Sequence, residues 1–225
     1  MNTDWKGFLS DKKKLVCFIL LGIAGISFVM MFSKFMIWHE TRPGMVINDP
    51  ILELMKPVNL SRITMPITII PIFFGMMLIF RKPKTTVYFL FSAILICIFR
   101  SLSMLIVPLE APIGIIPLTD PIVERLFYGG HVLQKDLFFS GHTANLVLIG
   151  LLLEDRNLKK TLFFIACIVG FLLIWQRVHY SFDVFAAPFF SYLTFRISVY
   201  LGNKIFLEDE LQSEVTKTLN PEIKI

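Results

Sequence analysis

Two polar clusters interrupt an otherwise apolar chain: DLFFSGHT, Asp136 to Thr143, and RVHYSFDV, Arg177 to Val184. Each contains one of the protein's four histidines, His142 and His179. Imidazole is the side chain whose proton moves near neutral pH, and its neutral nitrogen is also a nucleophile. Asp183 follows His179 by one helical turn, so the two share a face if a helix begins by His179. A carboxylate so placed fixes which ring nitrogen carries the proton and stabilises an imidazolium or a phosphorylated imidazole. With His142 supplied by another element, the set reads as nucleophile, orienting carboxylate and separate acid/base, a constellation suited to phosphoryl transfer.

The elements that must hold these residues are membrane helices. The chain has 225 residues, 55% of them hydrophobic and 23 of them phenylalanine, far from the composition of a soluble domain. A hydrocarbon core about 30 Å thick needs roughly 20 apolar helical residues to cross it. The candidate runs are Leu15 to Trp38, Thr64 to Phe80, Thr86 to Val107, Leu137 to Leu153, Thr161 to Trp175 and Val184 to Ile205, the fourth and fifth being short. The expected fold is all-α: a six-span transmembrane helical bundle over 15–206, between an N-terminal segment 1–14 and a polar, solvated tail 207–225.

Basic residues in short loops are retained in the cytoplasm. Lys6 with Lys12, Lys13 and Lys14, then Arg81, Lys82 and Lys84, then Arg156, Lys159 and Lys160, and finally Lys204 all fall on one side of a six-span chain. Both termini are therefore expected in the cytoplasm. His142 and His179 are expected to meet at the opposite, exoplasmic level.

The first apolar run is longer than the roughly 7 to 15 residues of a cleavable signal's core, so it reads as a retained anchor. The net charge of +5 is mostly the cytoplasmic bias, and no nucleic-acid partner follows from it. Cys17, Cys97 and Cys167 lie inside spans without zinc or disulfide spacing, so no metal site and no cofactor is expected. His39 and His131 read as structural or interfacial residues. Ile51, Leu52, Met55 and Val58 have the spacing of an amphipathic helix over Asp49 to Leu60, lying at the outer interface. Arg100, inside a span, needs an anionic partner: phosphate, Glu110 or Asp49.

The motifs D-x3-S-G-H-T, from Asp136, and R-x-H-Y-S-x-D-V, from Arg177, resemble the two C-terminal motifs of the sphingomyelin synthase family, a branch of the type 2 phosphatidic acid phosphatase superfamily. FRSLSMLIVPL, Phe99 to Leu109, is similar to a third motif of that family with its last pair reversed, and INDPILELMKP is a fainter echo of a fourth stretch. The likeness runs from about Asn48 to Tyr192. It implies that His179 attacks the phosphorus of a phospholipid headgroup, that Asp183 supports it and that His142 handles the proton.

The likeness has departures. Gln134-Lys135 stands where the family has Cys-Gly, the Lys-x6-Arg-Pro signature of the superfamily's phosphatases is missing, and Leu173 replaces their Arg six residues before the second histidine. Phosphate would then be held by other cations, Arg177 and Arg100, whose planar forks suit its oxygens. Asp136, Ser140, Thr143 and Tyr180 complete the candidate headgroup site. Asp136 either orients a side chain of the site or faces water, and Ser140 and Thr143 either bind phosphate or cap a helix.

These readings lead to a membrane phosphotransferase moving a headgroup such as phosphocholine or phosphoethanolamine from a glycerophospholipid donor to a ceramide or diacylglycerol-like acceptor through a phosphohistidine. With water as acceptor the protein is instead a lipid phosphatase or phospholipase C-like hydrolase. A non-enzymatic lipid-binding or transport protein on the same fold is the remaining class. The sequence leaves the oligomeric state open.

Overall fold

The computed structural model describes residues 4–119, 125 and 129–219, with 207–219 as helix backbone. It is helical: α1 Trp5–Ser10, α2 Lys12–Glu40, α3 Pro50–Glu53, α4 Ser61–Ile79, α5 Pro83–Ile106, α6 Gly141–Leu152, α7 Arg156–Trp175 and α8 Ser181–Leu219. Helix starts follow the local chemistry. The Asp11 carboxylate accepts from the Lys13 and Lys14 amides at the head of α2, and Asp155 does the same for Asn157 and Leu158 at the head of α7. Pro83 opens α5 at a position where a missing N–H costs nothing.

Among the described residues, five helices, α2, α4, α5, α7 and α8 as far as Phe206, are long and apolar enough to cross a membrane. Large apolar side chains such as Leu20, Ile26, Phe73, Phe164 and Phe185 are exposed around the bundle, as expected of a multi-pass membrane protein whose outer surface meets lipid. The expected fourth span is a shorter element. α6 has 12 residues, about 18 Å of helix against a core of about 30 Å. Its first polar residues stop it early, because Phe138 and Ser140 are engaged elsewhere: Ser103 Oγ donates to the Phe138 carbonyl and the Ser140 amide donates to the Asp183 carbonyl. α6 is the hub of the bundle, packed on α4, α5, α7 and α8.

The bundle has two chemically distinct ends. At one, the Trp5 indole donates to the Phe80 carbonyl, Phe8 packs on Phe206 and Lys82 pairs with Glu154. These contacts gather the N-terminal segment, the α4–α5 turn, the α6–α7 turn and the Phe206 region of α8, and with them all four basic groups. The opposite end holds the 41–60 and 107–119 segments. There Met45 and Leu109 form a short parallel bridge, and the buried Gln176 side chain bonds Ser61, the Leu60 amide and the Ile116 carbonyl.

One local expectation changes. The segment from Asp49 is helical only over Pro50–Glu53, because Lys56-Pro57 cannot continue a helix. The polar tail from 207 continues α8 to Leu219, since it contains good helix formers and no breaker before Pro221. Residues 1–3 and 220–225, the outermost parts of both expected terminal segments, lie outside the described residues.

Candidate active site

His142 is the second residue of α6, whose N-cap is Ser140. Its ring centroid lies 6.5 Å from that of His179, with the planes at 66°. The expected helix start at His179 is displaced: α8 begins at Ser181, and His179 stands in the preceding turn. The intended pairing forms nonetheless, with His179 Nδ1 3.3 Å from Asp183 Oδ2. The same oxygen accepts the Tyr180 amide at 3.3 Å, which holds the turn against the head of α8. With Nδ1 committed, Nε2 is the nitrogen that His179 has left for a ligand. Asp183 is fully buried, and its carboxylate fixes the orientation of the His179 ring.

Both histidines line a cavity of about 270 Å³ bounded by α4, α5, α6 and the segments around 115 and 134. Its polar lining includes Arg100, Asp136, Gln134, Asn145 and Thr68, and its apolar lining includes Met65, Ile69, Ile72 and Leu133. Arg100 enters from α5, six residues before that helix ends at Ile106, so the site is recessed by about 9 Å. The glycine of the SGHT motif has a physical reason here. A Cβ on Gly141 would lie 2.6 Å from Arg100 Nη1 and 2.8 Å from its Cζ, so only glycine lets the guanidinium rest on the first turn of α6. The N-terminus of α6 and the guanidinium, itself paired with Asp136, meet here, where both can donate to phosphate oxygens.

Arg100 pairs with Asp136, and neither Glu110 nor Asp49 is its partner. Glu110 is instead hydrogen-bonded by Lys135 Nζ at 2.7 Å and by the Gly44 amide at 3.0 Å. The lysine's hydrogen bond holds the Glu110 carboxyl below the usual carboxylate range. Asp49 accepts the Ser181 amide at 2.6 Å, capping α8. Glu40, at the end of α2, accepts the amides of Gln134 and Lys135, which anchors the segment that carries Asp136.

Four sequence candidates are directed away from the cavity. The Arg177 guanidinium donates to the carbonyls of Ile113, Leu52 and Met55 at 2.7, 3.0 and 3.2 Å. It sits at φ 59°, where a non-glycine residue costs of order 1 kcal/mol or more, and those three bonds hold it there. Tyr180 accepts from the Ile47 amide and donates to the Glu110 carbonyl. Arg177 and Tyr180 line a separate, smaller cavity with Asp49. Ser140 caps α6 through the Thr143 amide, and its hydroxyl meets that of Thr143 at 3.2 Å. Of the histidines read as structural, His39 is buried and stacks on Phe35, while His131 is exposed.

Sequence reasoning passed over Asn145, Gln134 and Thr68. Asn145 had a usable signal, since it follows His142 by three residues and must share its helical face.

Residues 135–200 match the PAP2 superfamily C-terminal family model. The match covers α6, α7 and most of the membrane part of α8, and it contains His142, His179 and Asp183. It supports the PAP2 superfamily, and with it an enzyme of lipid phosphatase or phosphotransferase type, without reaching the sphingomyelin synthase branch. No curated protein and no solved structure matches the chain.

Proposed function

We propose that this PAP2-type protein is a lipid phosphotransferase that moves a phospho-headgroup from a glycerophospholipid to a ceramide or diacylglycerol-like alcohol through a phosphohistidine. The observation that carries this reading is the pair of histidine rings at 6.5 Å across one cavity, with the Asp183 carboxylate on Nδ1 of His179. That carboxylate suits His179 to the nucleophile's part. His179 Nε2 attacks phosphorus, and the bond to the lipid oxygen breaks as that oxygen takes a proton from His142. The acceptor hydroxyl then gives its proton to His142 and forms the new P–O bond while the P–N bond breaks. Arg100, rather than Arg177, is the cation suited to the equatorial oxygens.

Hydrolysis is the second reading, favoured by the breadth of the family match, which carries the superfamily alone. Purified protein incubated with mixed phospholipids and a fluorescent ceramide or diacylglycerol separates the two by mass spectrometry. A headgroup-modified fluorescent lipid is the expected product. Free phosphate or free phospho-alcohol in its place would assign water as acceptor.

The gathering of all four basic groups at one end of the bundle supports cytoplasmic termini and an exoplasmic site. In a cysteine-free background, a cysteine at Pro117 is expected to react with impermeant maleimide added outside cells, and one at Asn157 only after permeabilisation. The reverse pattern would put the site in the cytoplasm.

A further inference from the structure

Eleven of the twelve residues of α6 are buried or half-buried, and the exception is Asn145. It is the helix's one carboxamide, and it lines the same cavity as His142, one turn further towards the basic end of the bundle. Among the described residues its side chain makes no hydrogen bond. A polar side chain at membrane depth is costly without a partner and characteristically serves function. Across the cavity, the Thr68 hydroxyl donates to the Thr64 carbonyl at 2.8 Å, so it presents only acceptor capacity to a ligand. Below His142, Asn145 is thus the described side chain able to donate into the cavity. Ile69 and Ile72, on α4, line the same cavity as apolar surface.

The order of groups along the cavity matches the order of groups in a lipid. The histidines and Arg100 face the position of phosphorus, and an amide follows one turn deeper, among the apolar side chains of α4. One helical turn is about 5.4 Å, the scale that separates phosphorus from the nearest carbonyl of an extended phospholipid.

We propose that Asn145 is a specificity-determining residue whose carboxamide donates to the linkage carbonyl, ester or amide, of the lipid whose phosphorus lies between the histidines. The proposal rests on the phospholipid reading of this cavity. It predicts that the enzyme distinguishes lipids by their linkage as well as by their headgroup.

The test compares a diester phospholipid with its diether analogue, which lacks both carbonyls, using purified full-length protein in mixed micelles. Wild type is expected to favour the diester in kcat/KM by about tenfold, the scale of one hydrogen bond, with the difference carried in KM. In Asn145→Leu the diester-to-diether ratio is expected to fall to near one. Asn145→Ser, which keeps a donor, is expected to retain part of the preference and guards against a folding defect in the leucine variant. A wild-type enzyme without linkage preference, or a ratio that persists in both variants, would overturn the proposal and leave the phospholipid reading standing. A wild type that cleaves a nitrophenyl phosphodiester but neither lipid would sink both.

Discussion

His179→Ala is expected to turn over no phospholipid and to retain no label after incubation with a donor carrying radioactive phosphorus. The alanine methyl has no lone pair, and the carboxylate that orients the nucleophile, Asp183, bonds the ring that is removed. The loss is therefore expected to be complete within detection, larger than for any other single change at the site. His179 is buried beside a buried carboxylate, so removing it also leaves that charge without its partner. His179→Gln, which fills the space and can still hydrogen-bond, serves as the control for folding and is expected to be equally inactive. Asp183→Asn keeps the geometry and loses the charge that favours a cationic or phosphorylated ring. It is expected to form phospho-enzyme slowly and to remain measurably active. A labelled His179→Ala protein, trapped by rapid acid quench, would move the nucleophile elsewhere.

His142→Ala is expected to slow the reaction by about a hundredfold to ten-thousandfold, the usual contribution of a general acid/base. Without its proton the diacylglycerol oxygen leaves as a poor alkoxide, so the first step suffers, and the acceptor hydroxyl then attacks without help. A nitrophenyl phosphodiester needs no proton on its leaving oxygen. Single-turnover nitrophenol release from this donor is therefore expected to recover in large part in His142→Ala and not at all in His179→Ala. Equal recovery in both variants would mean that the two histidines do not divide the work as their surroundings suggest. Equal failure would mean that His142 holds phosphate in place.

The sequence alone carried the helical, membrane-spanning class, because burying backbone in hydrocarbon leaves few solutions and the apolar runs declare their length. It also carried the pairing of His179 with Asp183, a contact four residues apart that survived the later start of α8 because local spacing decides it. The meeting of His142 with His179 followed from parity alone, two runs joined by a basic turn. What it did not contain was everything that depends on where a long side chain goes. Arg100 and Arg177 look alike in sequence, yet one rests on Gly141 inside the cavity and the other is consumed by three loop carbonyls. Tyr180 sits beside the catalytic candidate and points away from it, because the Ile47 amide and the Glu110 carbonyl, distant in sequence, claim its hydroxyl. The shortness of α6, the depth of the site and the deeper amide of Asn145 came from the same source. Each is set by how neighbouring helices and outer segments satisfy backbone groups across the bundle, and no local pattern in the chain encodes those distances.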